Sequence, residues 1–137
     1  MIAQLDTKTV YSFMDSLVSI KKYVEKAKEF GYSHLGIMDM DNLYGAYHFL
    51  EETKAAGIQG LLGLDLNLVK DGQPLSLRLL AINSQGYRNL MKVSTLIMLD
   101  KNHWEDIRGL LEGLAVIVPA YPGIEELELD IDYYIGV

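Results

Sequence analysis

The sequence predicts an α/β fold with a mainly parallel sheet. Three observations predict it. Short apolar runs alternate along the chain with longer stretches of helical periodicity, the order expected of strand–helix units. Glycines stand just past the helical stretches, where a left-handed residue ends a helix. Half of the 137 residues are hydrophobic and 23% are charged, which supports a packed core and argues against global disorder.

The elements follow in order. Ile20, Tyr23, Val24, Ala27 and Phe30 share one stripe of a helix over Ser19–Phe30, with Lys21, Lys22, Lys26 and Lys28 mostly off it. Ser16 or Ser19 caps its start and Gly31 ends it. Leu35–Met38 reads as a buried strand, and a second helix runs from about Gly45 to Ala56, stopping at Gly57. Ile58–Leu62 is the next apolar run. Leu64, Leu66 and Leu68 then alternate with Asp65, Asn67 and Val69. Turn chemistry over Lys70–Pro74 leads into a second extended run, Leu75–Ile82, which together predict a hairpin. Asn83-Ser84 caps a long helix through about Leu99, with Tyr87, Leu90, Met91, Ser94 and Met98 as its stripe. A short helix over Glu105–Leu111, a strand over Ala115–Val118 and a last strand over Tyr133–Val137 complete the reading.

Composition excludes several function classes. There is no cysteine, so disulfides, thiolate metal clusters and cysteine nucleophiles are out. Twelve basic against nineteen acidic residues give a net charge of −7, a poor basis for binding nucleic acid through phosphates. No apolar run approaches a membrane span, and Met1–Asp6 does not have the pattern of a signal peptide. A cytoplasmic protein with no membrane partner is expected. The stretch Tyr121–Val137 holds five acidic residues and no basic one, which reads as a solvated face.

Three stretches are specific in their order and spacing. The first is Tyr11-Ser12-Phe13-Met14-Asp15-Ser16 followed by Lys21–Gly31. The second is Asp39-Met40-Asp41-Asn42-Leu43-Tyr44-Gly45-Ala46, followed by Lys54–Ile58 and Gly63-Leu64-Asp65. The third is Leu80–Lys92, containing Tyr87-Arg88-Asn89-Leu90. Together they resemble the N-terminal PHP (polymerase and histidinol phosphatase) domain of the alpha subunits of bacterial DNA polymerase III, most strongly from Tyr11 to Ser94.

The resemblance implies a fold: the N-terminal part of a PHP-type distorted, seven-stranded (βα) barrel. It also implies a chemistry. Metal-binding members hold two or three divalent ions on a His-x-His near the start, a His after an Asp, a Glu after a Gly, and later His and Asp residues. Such ligands bind Zn or Mn and lower the pKa of bound water, producing a hydroxide that attacks phosphoesters.

This sequence departs from that pattern. Asp6-Thr7-Lys8 stands where the His-x-His belongs, Asp39-Met40 replaces Asp-His, Asp65 replaces the Glu, and Ser76 aligns near a later His. Lysine repels a metal and a thioether is a poor ligand for these hard ions. His34, His48 and His103 do not fall on ligand positions. The expectation is a vestigial pocket of Asp6, Lys8, Asp39, Met40, Asp65 and Ser76, with no catalytic residue and no metal. Lys8 would pair with Asp6, Asp39 or Asp65. A weak single-metal site on Asp6, Asp39 and Asp65, and simply solvated carboxylates, are the alternatives. Asn42 and Gly45 read as helix-start residues, and Trp104 beside His103 as a partly buried indole rather than a base-stacking pair.

The resemblance further implies that residues 1–137 are the N-terminal portion of a PHP domain in a much longer polymerase subunit. The parent would be a DNA-directed DNA polymerase, a nucleotidyltransferase of chromosome replication that uses Mg at an active site beyond these residues. The expected partners are the remainder of that subunit and other replisome proteins, with DNA contacted through the parent. This stretch would be a non-catalytic scaffold, without a cofactor, that has lost its phosphoesterase or exonuclease site. A stand-alone PHP-type metal-dependent phosphoesterase is the alternative, and it would need the missing histidines. A strand edge left open at Tyr133–Val137 is expected to favour self-association.

Overall fold

The computed structural model describes residues 1–11 and 19–136. The chain divides into two compact units, Met1–Leu64 and Asp65–Val137. Ser16 as a helix cap, the stretch Ser12–Ser16 and the terminal Val137 lie outside the described residues.

In the first unit, strand β1 (Ala3–Gln4) pairs in parallel with β2 (His34–Met40), Ala3 opposite His34 and Gln4 opposite Leu35. Periodicity does not predict a strand as short as β1. The chain beyond it stays beside β2: the Met38 N–H donates to the Thr7 carbonyl at 2.8 Å. Gly36 permits this approach, because a Cβ there would collide with the Leu5 carbonyl. Helix α1 (Ile20–Glu29) starts at Ser19, whose hydroxyl accepts from the Lys22 N–H, and buries Ile20, Val24 and Ala27. Phe30 departs from the predicted stripe. It is 64% exposed, with the Lys26 ammonium 5.6 Å from its ring centre. Helix α2 (Ala46–Ala56) ends at Gly57 in the left-handed conformation.

Strand β3 (Gln59–Lys70) begins in the first unit and ends in the second, joining two apolar runs that the sequence pattern separates. Strand β4 (Gln73–Ala81) follows after Asp71-Gly72 alone. Both turn residues have positive φ, 50° and 75°, the geometry of a tight hairpin turn. Within the second unit the strand order is β3, β4, β5 (Leu114–Pro119), β6 (Tyr134–Gly136). β4 and β5 are antiparallel, Leu79 opposite Val116, whereas β5 and β6 are parallel, Val118 opposite Ile135. The second unit's strands therefore pair in both senses. A two-residue turn forces antiparallel neighbours, while parallel ones need a longer crossover.

Helix α3 (Ser84–Met98) is capped by Asn83, whose side-chain oxygen accepts from the Gly86 N–H at 2.9 Å. It buries Gly86, Asn89, Leu90, Val93 and Ser94, and leaves Met91 and Met98 of the predicted stripe exposed. Two contacts select this face. Gly86 lies so close to the Gly113 carbonyl that a Cβ would collide with it, and the Asn89 amide donates to the Glu112 carbonyl at 2.9 Å. Helix α4 (Trp104–Ile107) runs into a 3-10 turn over Arg108–Leu110. The core of this unit includes Leu66, Leu77, Leu79, Leu90, Trp104, Ile107, Val116 and Val118. Among the described residues, no helix is long and apolar enough to cross a membrane.

Candidate functional site

The predicted pocket residues divide between the units: Asp6, Lys8, Asp39 and Met40 in the first, Asp65 and Ser76 in the second. Each set is described where it stands.

In the first unit, Asp39 lies near the end of β2 and is 2% exposed. A buried carboxylate requires donors, since burial strips it of water. Thr9 supplies two. Its backbone N–H donates to Asp39 Oδ1 and its hydroxyl donates to Asp39 Oδ2, each at 2.6 Å. Thr9 is itself fully buried. Charge-assisted bonds of this length are strong ones. Nothing in the spacing of the sequence points to Thr9, because its partner lies thirty residues further on. Its sequence position, next to Lys8 and two residues ahead of the first stretch, carries no further signal.

Lys8 pairs with Asp6, Nζ to Oδ1 at 3.6 Å, with side chains 22% and 36% exposed. This is one of the three ion pairs the sequence suggests for Lys8. Met40 is half-buried at the end of β2. Asn42 closes the loop that follows: its amide donates to the carbonyls of Tyr11 and Met40, and its side-chain oxygen accepts from the Tyr44 N–H. It braces the loop and does not cap α2, whose cap position is Gly45. Gly45 has an ordinary φ of −83°. Its smallness serves space rather than backbone freedom, because a Cβ would sit 2.8 Å from the Tyr11 ring.

In the second unit, Asp65 on β3 is 8% exposed, and the Arg78 guanidinium on β4 lies 3.6 Å from it, Nε to Oδ2. The two-residue turn sets this register, placing Asp65 across from Arg78 and Asn67 across from Ser76. The Ser76 hydroxyl donates to Asn67 Oδ1 at 3.2 Å. Arg78 is the second residue that sequence reasoning missed. The hairpin register held the signal, since it can be counted from the Asp71-Gly72 turn.

The histidines stand elsewhere. His34 meets the Ser33 hydroxyl at 2.9 Å, His48 lies 3.4 Å from Glu52 on α2, and exposed His103 precedes α4. Trp104 is buried to 2% exposure, so its indole offers no face to a nucleic-acid base. Among the described residues, no group of three or more His, Asp or Glu side chains is arranged to hold a metal ion. Of the residues at the family's ligand positions, Lys8 is a cation and Met40 a thioether in the first unit, where Asp39 faces donors from Thr9; in the second unit Asp65 faces Arg78.

The profile of the PHP domain matches residues 4–128. The chain is 50% identical over 137 residues to the DNA polymerase III subunit alpha of several Streptococcus pyogenes strains, covering all of this chain and 13% of that protein. It is 31% identical over 134 residues to the subunit of the same name from Bacillus subtilis, covering 92% of this chain and 12% of the relative. The chain thus spans about one eighth of the length of these relatives. Among solved structures, a metal-dependent phosphoesterase from Bifidobacterium adolescentis superposes with a TM-score of 0.52 at 18% identity, over 80% of this chain and 43% of that one. An amidohydrolase from Chromobacterium violaceum gives 0.52 at 16% identity, over 66% and 32%. Identities this low carry the fold alone, and that fold is α/β.

Proposed function

This chain belongs to the PHP domain family, and on that premise we propose that it is a metal-independent scaffold at the N-terminal end of a DNA polymerase III alpha subunit. The parent's role is template-directed DNA synthesis in chromosome replication, with Mg at a polymerase site outside these residues. Identity over 92% to 100% of the chain to subunits of that name supports the parent role. The partners are the rest of the subunit and other replisome proteins, DNA is reached through the parent, and the compartment is the cytoplasm.

The loss of the phosphoesterase or exonuclease site rests on one observation above the others. Both oxygens of the Asp39 carboxylate accept hydrogen bonds from Thr9. These short bonds neutralise part of the carboxylate's charge and hold it toward Thr9, which weakens it as a ligand although each oxygen keeps a second lone pair. Asp65 faces a guanidinium, which opposes a divalent cation at the same place. With Lys8 and Met40 at the positions of family imidazoles, the residues present provide no route to a metal-bound hydroxide. Within each unit they are held by polar contacts to neighbouring residues instead: Asp39 by Thr9, Lys8 by Asp6, and Asp65 by Arg78.

An exonuclease assay tests the reading. The chain, incubated with single-stranded DNA ends and with small phosphoesters in Mn, Zn or Mg, should hydrolyse neither above background. Turnover that persists through further purification and falls in Asp39→Ala would overturn it. The parent role has a separate test in the gene, whose reading frame should continue far past codon 137.

A further inference from the structure

The second unit carries a surface that the predicted pocket does not account for, although Ser76 lines one end of it. A cavity of about 590 Å³ opens between the hairpin turn after β3 and the loop after β5. Leu75, Tyr121, Pro122 and Leu127 give it an apolar lining. A second cavity of about 290 Å³ shares Leu75 and Tyr121 with it and extends to Pro119. Pro74, Leu75 and Tyr121 line both, so the two cavities of this groove adjoin along those residues. Tyr121 is 46% exposed, so part of the residue is open to a ligand.

The charge of the groove is one-sided. Asp71, Glu126 and Glu128 line the larger cavity, against a single cation, Lys70. The Lys70 ammonium is already bonded to Asp71 at 2.6 Å. Arg108, on the same unit, is engaged by Glu105 and Asp130. The carboxylates of Glu126 and Glu128 therefore face the groove in excess.

We infer that this groove is a docking site for a peptide segment of another protein in which apolar residues alternate with arginine or lysine. The volume suits a few side chains. The apolar lining favours aliphatic groups leaving water. The carboxylate excess supplies charge complementarity, which sets specificity and speeds encounter. The exposed part of Tyr121 suits an arginine guanidinium. A nucleic-acid strand would bring phosphates against Asp71, Glu126 and Glu128 and is disfavoured.

The test uses fluorescence anisotropy with a labelled short peptide of alternating arginine and leucine. Two control peptides replace leucine with glycine, or arginine with glutamate. The arginine–leucine peptide should bind, and both controls should bind at least about tenfold more weakly. Tyr121→Ala and the double variant Glu126→Gln/Glu128→Gln should each weaken binding about tenfold, the loss expected of a central anchor. These residues are exposed or half-buried, and circular dichroism confirms that each variant folds. Chemical-shift mapping should place the peptide on Leu75, Tyr121 and Leu127. Absence of binding, equal binding to the variants, shifts confined to another surface, or a labelled single-stranded oligonucleotide that alone shifts the same residues would each overturn the inference.

Discussion

Thr9 closes both oxygens of the Asp39 carboxylate, one through its backbone N–H and the other through its hydroxyl, each at 2.6 Å. Thr9→Val keeps the shape of the side chain but removes the hydroxyl, so a buried carboxylate oxygen loses a donor. The expected cost is about 1–3 kcal/mol. Urea denaturation measures it. Thr9→Ser, which retains the hydroxyl, should recover most of the loss.

Asp65 and Arg78 form a cross-strand pair with side chains 12% and 25% exposed. Arg78→Leu strips the carboxylate of its cation and should destabilise the chain by about 1–3 kcal/mol. Adding Asp65→Leu should cost less than the sum of the two single changes, because the stranded charge goes with it. A double-mutant cycle reads the coupling, expected near 1 kcal/mol for a partly exposed pair. Additive effects would mean that the pair contributes nothing.

Gly86 on α3 reverses a familiar rule. Alanine normally stabilises a helix interior relative to glycine by about 1 kcal/mol. Here its Cβ would meet the Gly113 carbonyl, a backbone atom that cannot swing away. Gly86→Ala should therefore lower the melting temperature. Gly109→Ala, with open space around it, should leave the temperature nearly unchanged.

These three sites mark how far the sequence can be read. The caps Ser19 and Asn83, the left-handed Gly57 and the hairpin turn at Asp71-Gly72 are legible because each depends on neighbours a few residues away. The buried face of α3 is not. Met91 and Met98 fit a helical stripe as well as Gly86 and Asn89 do, and the choice between faces is made by Gly113 and Glu112, more than twenty residues on. The positions of Asp39 and Asp65 were legible from the family pattern. Of their partners, Arg78 can be counted across the hairpin from the Asp71-Gly72 turn, whereas Thr9 cannot, because it lies thirty residues from Asp39 with no turn to set a register between them.

Tyr23 gives a pH signature. Burial pushes its phenol above the ordinary value near 10, with the charges of Tyr32 and Asp6 adding and the Thr7 hydrogen bond opposing. Its hydroxyl donates to the Gly36 carbonyl at 3.1 Å. As pH rises past about 10 the unfolded chain loses this proton first, so the folded state binds more protons and stability falls. The contribution is complete below pH about 10 and is lost as pH climbs through the raised value. Urea midpoints at about pH 8 and about pH 11 should converge more closely in Tyr23→Phe than in the parent chain.

Asp39 and Asp65 are held by donors from the protein, Thr9 and Arg78, and we propose that neither holds an ion. Metal analysis of the chain purified without chelator, then dialysed against Mn or Zn, tests it most directly. The account predicts far less than one ion per chain, and no change when Asp65 is replaced by alanine. A stoichiometric ion that Asp65→Ala removes would contradict it.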